Sequence, residues 1–130
     1  MALNTEKLSI VLVEDNPLLR DIVLENLDSI EQVNVVATAD RQIQALNEIE
    51  EHKPNLVIAD LELNEGNGLG VLNEINRHPE LYGTPEKLVL TNHTSKHLKK
   101  KCLEQDIQGF YDKSYQLFEM MDWIEEAAKK

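Results

Sequence analysis

The chain has 130 residues, 42% hydrophobic and 28% charged, with a formal net charge of −11, a composition that suits one globular domain with its own core. Thirteen basic residues against 24 acidic ones exclude the basic face that nucleic acid or anionic lipid requires. A lone cysteine, Cys102, excludes an internal disulfide; Met1 to Lys7 lack the basic stretch and apolar run of a signal peptide and no apolar run reaches the ~20 residues of a membrane span, so a soluble, cytoplasmic protein is expected.

Apolar runs of strand length alternate with helical periodicity. Leu8-Ser9-Ile10-Val11-Leu12-Val13 reads as the first strand. Asn16 then caps a helix that opens on Pro17, with Leu18, Leu19, Ile22, Val23 and Leu27 predicted on one apolar face. Val33 to Ala37 forms the second strand, and Asp40 is the expected cap of a helix burying Ile43, Leu46 and Ile49. The third strand, Leu56 to Ala59, leads through a Gly-rich loop to a helix with Leu69, Leu72 and Ile75 inward. After the Gly83-Thr84-Pro85 turn comes the fourth strand, Leu88 to Leu90, then a helix capped by Ser95 with Leu98 and Cys102 inward. A short fifth strand near Ile107 to Tyr111 precedes a last helix, predicted to start at Ser114 and to bury Leu117, Phe118, Met121 and Ile124. The β-α unit thus occurs five times. It implies an α/β fold: a doubly wound five-stranded parallel sheet between two helical layers, (βα)5, in the flavodoxin-like order 2-1-3-4-5, one domain over residues 1–130 with its core in about 7–129.

In such a sheet, ligands bind beyond the carboxyl ends of the strands, where the strand order reverses. Those ends carry Glu14 and Asp15, Asp60, Thr91 and Lys113. Taken singly, each is an ordinary turn former or cap. Together they place three carboxylates, a hydroxyl and an ammonium on one rim. Like charges ~4 Å apart repel by ~4 kcal/mol at an effective dielectric of 20, so three carboxylates need a cation beyond one lysine or must hold protons. Few, hard oxygen ligands suit Mg²⁺. A metal, an ammonium and a hydroxyl around a carboxylate suit phosphoryl transfer, with Asp60, on the central strand, as nucleophile.

The set Val11-Leu12-Val13-Glu14-Asp15-Asn16-Pro17, Leu56-Val57-Ile58-Ala59-Asp60, Val89-Leu90-Thr91 and Gly109-Phe110-Tyr111-Asp112-Lys113, with Gly68-Leu69 eight residues past Asp60, resembles the response-regulator receiver domain of two-component signalling, over about Lys7 to Lys130. The resemblance implies that Asp60 accepts phosphate from a phosphohistidine on a sensor histidine kinase or histidine phosphotransfer protein. It implies Asp15 as a direct Mg²⁺ ligand, Glu14 as one through water, and Glu62 through its backbone carbonyl. It implies Thr91 and Phe110 as a switch pair, Lys113 as a bridge to the phosphoryl group, and self-dephosphorylation. The output face would be the fourth helix, fifth strand and fifth helix, for a downstream target protein or a homodimer, and the module would stand alone. Four positions depart from the family pattern. Ser114 follows the lysine where Pro is common, Asn92 follows the threonine, Asp106 stands where Gly suits a left-handed backbone, and Asn64 replaces a Pro. A non-proline cis bond costs ~3–4 kcal/mol, which leaves the cis or trans state of the Lys113–Ser114 bond open and frees Ser114 to cap the last helix.

Two other readings compete: a pseudo-receiver that never takes phosphate, and a Mg²⁺-dependent phosphatase using Asp60 and Glu62. Gly66-Asn67-Gly68-Leu69-Gly70 has the wrong spacing for a dinucleotide fingerprint and reads as a flexible loop. His93 and His97 suit a polar helix start better than a metal. Lys96, Lys99, Lys100 and Lys101 form a basic cluster, and Met120 and Trp123 read as packing or surface residues.

Overall fold

The computed structural model describes residues 7–92 and 95–129; His93 lies outside them. Five parallel strands, β1 (Leu8–Val13), β2 (Val33–Ala39), β3 (Leu56–Ala59), β4 (Glu86–Thr91) and β5 (Gly109–Asp112), form one sheet in the order β2-β1-β3-β4-β5. The helices are α1 (Pro17–Asp28), α2 (Gln42–His52), α3 (Gly68–Arg77), α4 (Pro79–Tyr82), α5 (Lys96–Leu103) and α6 (Leu117–Ala128). The short α4 occupies a stretch with no predicted element, just before the Gly83-Thr84-Pro85 turn. Pro79 opens it and Gly83 closes it at φ 75°. The predicted fourth and fifth helices are therefore α5 and α6.

Successive strand residues point to opposite faces, and both faces are dry. Ile10, Leu12, Leu56, Ile58, Leu88 and Leu90 pack against Val23 and Leu27 of α1 and Met120, Met121 and Ile124 of α6. On the other face Val11, Val13, Val57 and Ala59 meet Ala45 and Ile49 of α2, Val71 and Ile75 of α3, and Tyr82 of α4. A third cluster joins Val89 to Leu61, Leu72 of α3 and Cys102 of α5, with Phe110 packed on it. Burial of each such large side chain contributes about 1.5–3 kcal/mol, which makes this register costly to slip.

Several local expectations are corrected. Leu18 is 71% exposed and Ile22 is also exposed, so α1 buries only Val23 and Leu27 fully. Ile43 is exposed, and α2 begins after Arg41, with no side-chain cap from Asp40. Asp40 instead accepts from Arg41 and from Asn64. The last helix starts at Leu117, not Ser114, after an uncapped Gln116. Asp112 Oδ1 accepts the N–H groups of Ser114 (2.7 Å) and Tyr115 (3.2 Å), folding those residues into a turn before the helix. That turn rotates the helix so that Phe118 is 72% exposed and Met120 fully buried. The Gly-rich stretch is structured: Asn67 Oδ1 accepts from Gly70 N at 2.7 Å and caps α3 at Gly68. Asn16 and Ser95 cap α1 and α5 as expected, no cis peptide bond occurs among the described residues, and Asp106 adopts φ 57°. Among the described residues no helix is long and apolar enough to cross a membrane.

Candidate functional site

The topology reverses between β1 and β3: from β1 the chain moves outward to β2, then crosses to β3 on the other side. The backbone ladder runs one residue past each strand there. Glu14 N–H donates to Ala39 O (2.9 Å) and Asp60 N–H to Val13 O (3.0 Å). Both carboxylates thus stand on rigid sheet backbone at the rim, and both are buried, Glu14 at 1% exposure and Asp60 at 4%. Asp15 is half-buried beside them. One oxygen from each of Glu14, Asp15 and Asp60 lies within 4.8 Å of the others.

Lys113 closes the cluster from β5. Its N–H donates to Thr91 O at 3.1 Å, which extends the β4–β5 ladder and aims the side chain across the rim. Its Nζ lies 2.6 Å from Asp60 Oδ2 and 3.0 Å from the Glu14 carboxylate. Backbone amides finish the pattern. Leu61 N–H donates to Asp60 Oδ1 at 2.7 Å, Glu62 N–H reaches the same oxygen at 3.4 Å, and Asn16 N–H donates to Glu14 Oε2 at 3.1 Å. Asp60 therefore has one oxygen tied to backbone and the other facing the ammonium.

The electrostatics follow from burial. Desolvation raises the Glu14 carboxyl to about 7 despite the Lys113 and Asn16 hydrogen bonds, and the Asp60 charge adds to the rise. Burial lowers the Lys113 ammonium, but hydrogen bonds to Asp60 and Glu14 outweigh it, so the group stands above the usual lysine range. One ammonium faces three carboxylates, and an all-oxygen, buried, under-compensated donor set fits a hard divalent cation such as Mg²⁺.

Thr91 ends β4 at 1% exposure. Phe110 pairs with Val89 in register, packs on the cluster around Cys102, and carries the Lys99 ammonium 5.3 Å above its ring. Glu62 is exposed and forms an isolated bridge with Asn67, and Gly68 N–H donates to Leu61 O at 3.1 Å. Gly68 has a structural reason. A Cβ there would stand 2.0 Å from Asp60 O, so only glycine lets α3 approach the backbone that carries the central carboxylate. Two departures from the family pattern touch: Ser114 Oγ lies 3.3 Å from Asn92 Oδ1, across the two loops that flank the rim. The amide of Asn16 on Glu14 was not foreseen in the sequence, where Asn16 reads only as a cap. Its position two residues after Glu14, in the turn into α1, was the available signal.

A family model described as the response regulator receiver domain matches residues 10–125. The chain is similar to the signal receiver domain of NarL from Mycobacterium tuberculosis, with a TM-score of 0.83 at 29% identity over 95% of this chain and 98% of that one. The response regulator domain of Thermotoga maritima CheB has the same fold, with a TM-score of 0.83 at 18% identity over 96% of this chain and 98% of that one. Among curated proteins, protein-glutamate methylesterase/protein-glutamine glutaminase 1 of Methanospirillum hungatei is 30% identical over 86 residues, 66% of this chain and 24% of that protein. The probable C4-dicarboxylate response regulator DctR of Priestia megaterium is 26% identical over 73 residues, 56% of this chain and 32% of that protein. The chain's matched segments thus span about a quarter to a third of these two relatives.

Proposed function

The chain belongs to the response regulator receiver family, a signalling domain of two-component systems whose partners are histidine kinases, and we propose that Asp60 is its phosphoacceptor. The observation that carries this reading is the Lys113 ammonium 2.6 Å from Asp60 Oδ2, inside the cluster of Glu14, Asp15 and Asp60. Leu61 N–H holds Oδ1, which leaves Oδ2 to attack the phosphorus of a phosphohistidine. The O–P bond forms, the P–N bond breaks and the imidazole leaves. Lys113 then stays paired to the phosphoryl oxygens, and the Thr91 hydroxyl donates to one of them. Glu14, Asp15, Asp60 and the Glu62 carbonyl would hold Mg²⁺, which when bound supplies neutralising charge to the transferring group. A water attacking phosphorus with Asp60 as leaving group restores the free carboxylate, so the signal is transient.

The output follows from position. Movement of Thr91 toward the phosphoryl group vacates space beside β5, and Phe110, packed next to Val89 under Lys99, turns inward to fill it. That repacks the α5–β5–α6 face, which carries Lys96, Lys99 and Lys100, for a downstream target or a second copy of the chain. Acetyl phosphate with Mg²⁺, read by intact mass, should add one acid-stable, base-labile phosphoryl group, and D60N should add none. A phosphorylated D60N protein refutes the assignment. Absent incorporation in the parent would mark a pseudo-receiver, and many turnovers on phosphomonoesters a phosphatase.

A further inference from the structure

Another charged side chain is buried far from the rim. Lys87 is the second residue of β4, at the opposite, N-terminal end of the sheet, and is only 5% exposed. The two-residue period places it on the same face as Val89, whose core neighbours are apolar. Gln108 clamps its backbone: Lys87 N–H donates to Gln108 Oε1 at 2.6 Å, and Gln108 N–H donates to Lys87 O at 2.8 Å. Its Nζ has one acceptor among the described residues, Pro85 O at 3.4 Å, and no carboxylate pairs with it there. An ammonium offers three donors, so this one is poorly served where it lies.

The side chain lines a cavity of about 280 Å³ between α3, α4 and the β4–β5 edge, walled by Ile75, Asn76, Pro79, Thr84, Asp106 and Gln108. We propose that Lys87 is a modification site, an amine nucleophile that takes a short, uncharged acyl group from a thioester into this cavity. The Nζ lone pair attacks the thioester carbonyl. The N–C bond forms, the C–S bond breaks, and the departing thiolate takes up the proton released by the nitrogen. The product amide carries a single N–H, which matches the single acceptor that Pro85 provides. It also removes a buried ammonium that has one backbone acceptor.

The surroundings support the neutral amine. Burial lowers the Lys87 ammonium below the usual lysine range, outweighing the opposing charges of Asp106 and Glu86. Those two carboxylates also line the cavity, so an acyl group bearing its own carboxylate is disfavoured.

The folded protein incubated with acetyl-CoA at neutral pH, digested and quantified lysine by lysine, should show Lys87 acetylated several-fold ahead of Lys96, Lys99, Lys100 and Lys101. The preference should vanish in urea and fall with succinyl-CoA. Acetylation of Lys87 no faster than that of the α5 lysines overturns the proposal. D106N, which removes a charge that keeps the amine protonated, should raise the Lys87 rate, and an unchanged or lower rate in a folded D106N protein also overturns it.

Discussion

Replacement of Glu14 by glutamine tests the electrostatics of the rim directly. Glu14 is buried, and desolvation pushes its carboxyl up to about 7 from the ordinary 4.5. A carboxyl whose pKa is raised by folding binds a proton more tightly in the native state. Its contribution is therefore intact below about pH 4.5 and is lost as pH rises to about 7. With about 1.4 kcal/mol per unit, the ionised Glu14 costs the folded protein up to about 3 kcal/mol above pH 7. An amide of the same shape avoids that cost but gives up part of the Lys113 hydrogen bond, a loss of about 1 kcal/mol. The net expectation for E14Q in chelator is a gain of about 1–2 kcal/mol at pH 8 and none at pH 5. For a domain of this size that is about 3–10 °C in Tm. Thermal unfolding followed by circular dichroism at both pH values measures it. The same substitution should weaken Mg²⁺ binding, read by Trp123 fluorescence, because an anionic oxygen is gone. The reasoning fails if E14Q and the parent keep the same stability difference at pH 5 and pH 8, or if E14Q is the less stable at pH 8.

Two further substitutions test packing. G68A should destabilise the protein by about 1–3 kcal/mol in urea unfolding, because its methyl group meets the Asp60 carbonyl oxygen, and should slow phosphate incorporation by displacing Asp60. A G68A protein of parental stability and rate would show that this contact relaxes freely. M120A should cost about 2–5 kcal/mol and F118A less than about 0.5 kcal/mol, since Met120 is fully buried and Phe118 stands in solvent. Equal losses from the two would mean that α6 turns Phe118 as well as Met120 toward the sheet.

The two central strands, β1 and β3, were legible because their buried residues are uniformly apolar. Ile10 to Val13 and Leu56 to Ala59 are buried on both faces, and such runs are unmistakable when helices separate them. The rim was legible for a related reason. A charged residue immediately after a strand of a parallel sheet sits at the sheet edge whatever the helices do, so the sequence places Glu14, Asp60 and Lys113 together, as the structure does. Helix rotation was not legible. Leu18, Ile22, Ile43 and Phe118 are apolar and fall near the inward stripe, yet they are exposed. Which of two apolar neighbours turns inward depends on where the first turn begins, and that is set by the Asp112 turn before α6 and the Arg41 start of α2.

From the residue order alone came the alternation of elements, the single sheet and the chemistry of its edge, because strand periodicity and burial are local properties of short segments. The tertiary structure decided which carboxylate oxygen faces the ammonium, why glycine must stand at 68, and that Lys87 is buried beside a cavity. Each of those depends on distances between segments far apart in the chain, which no local pattern encodes.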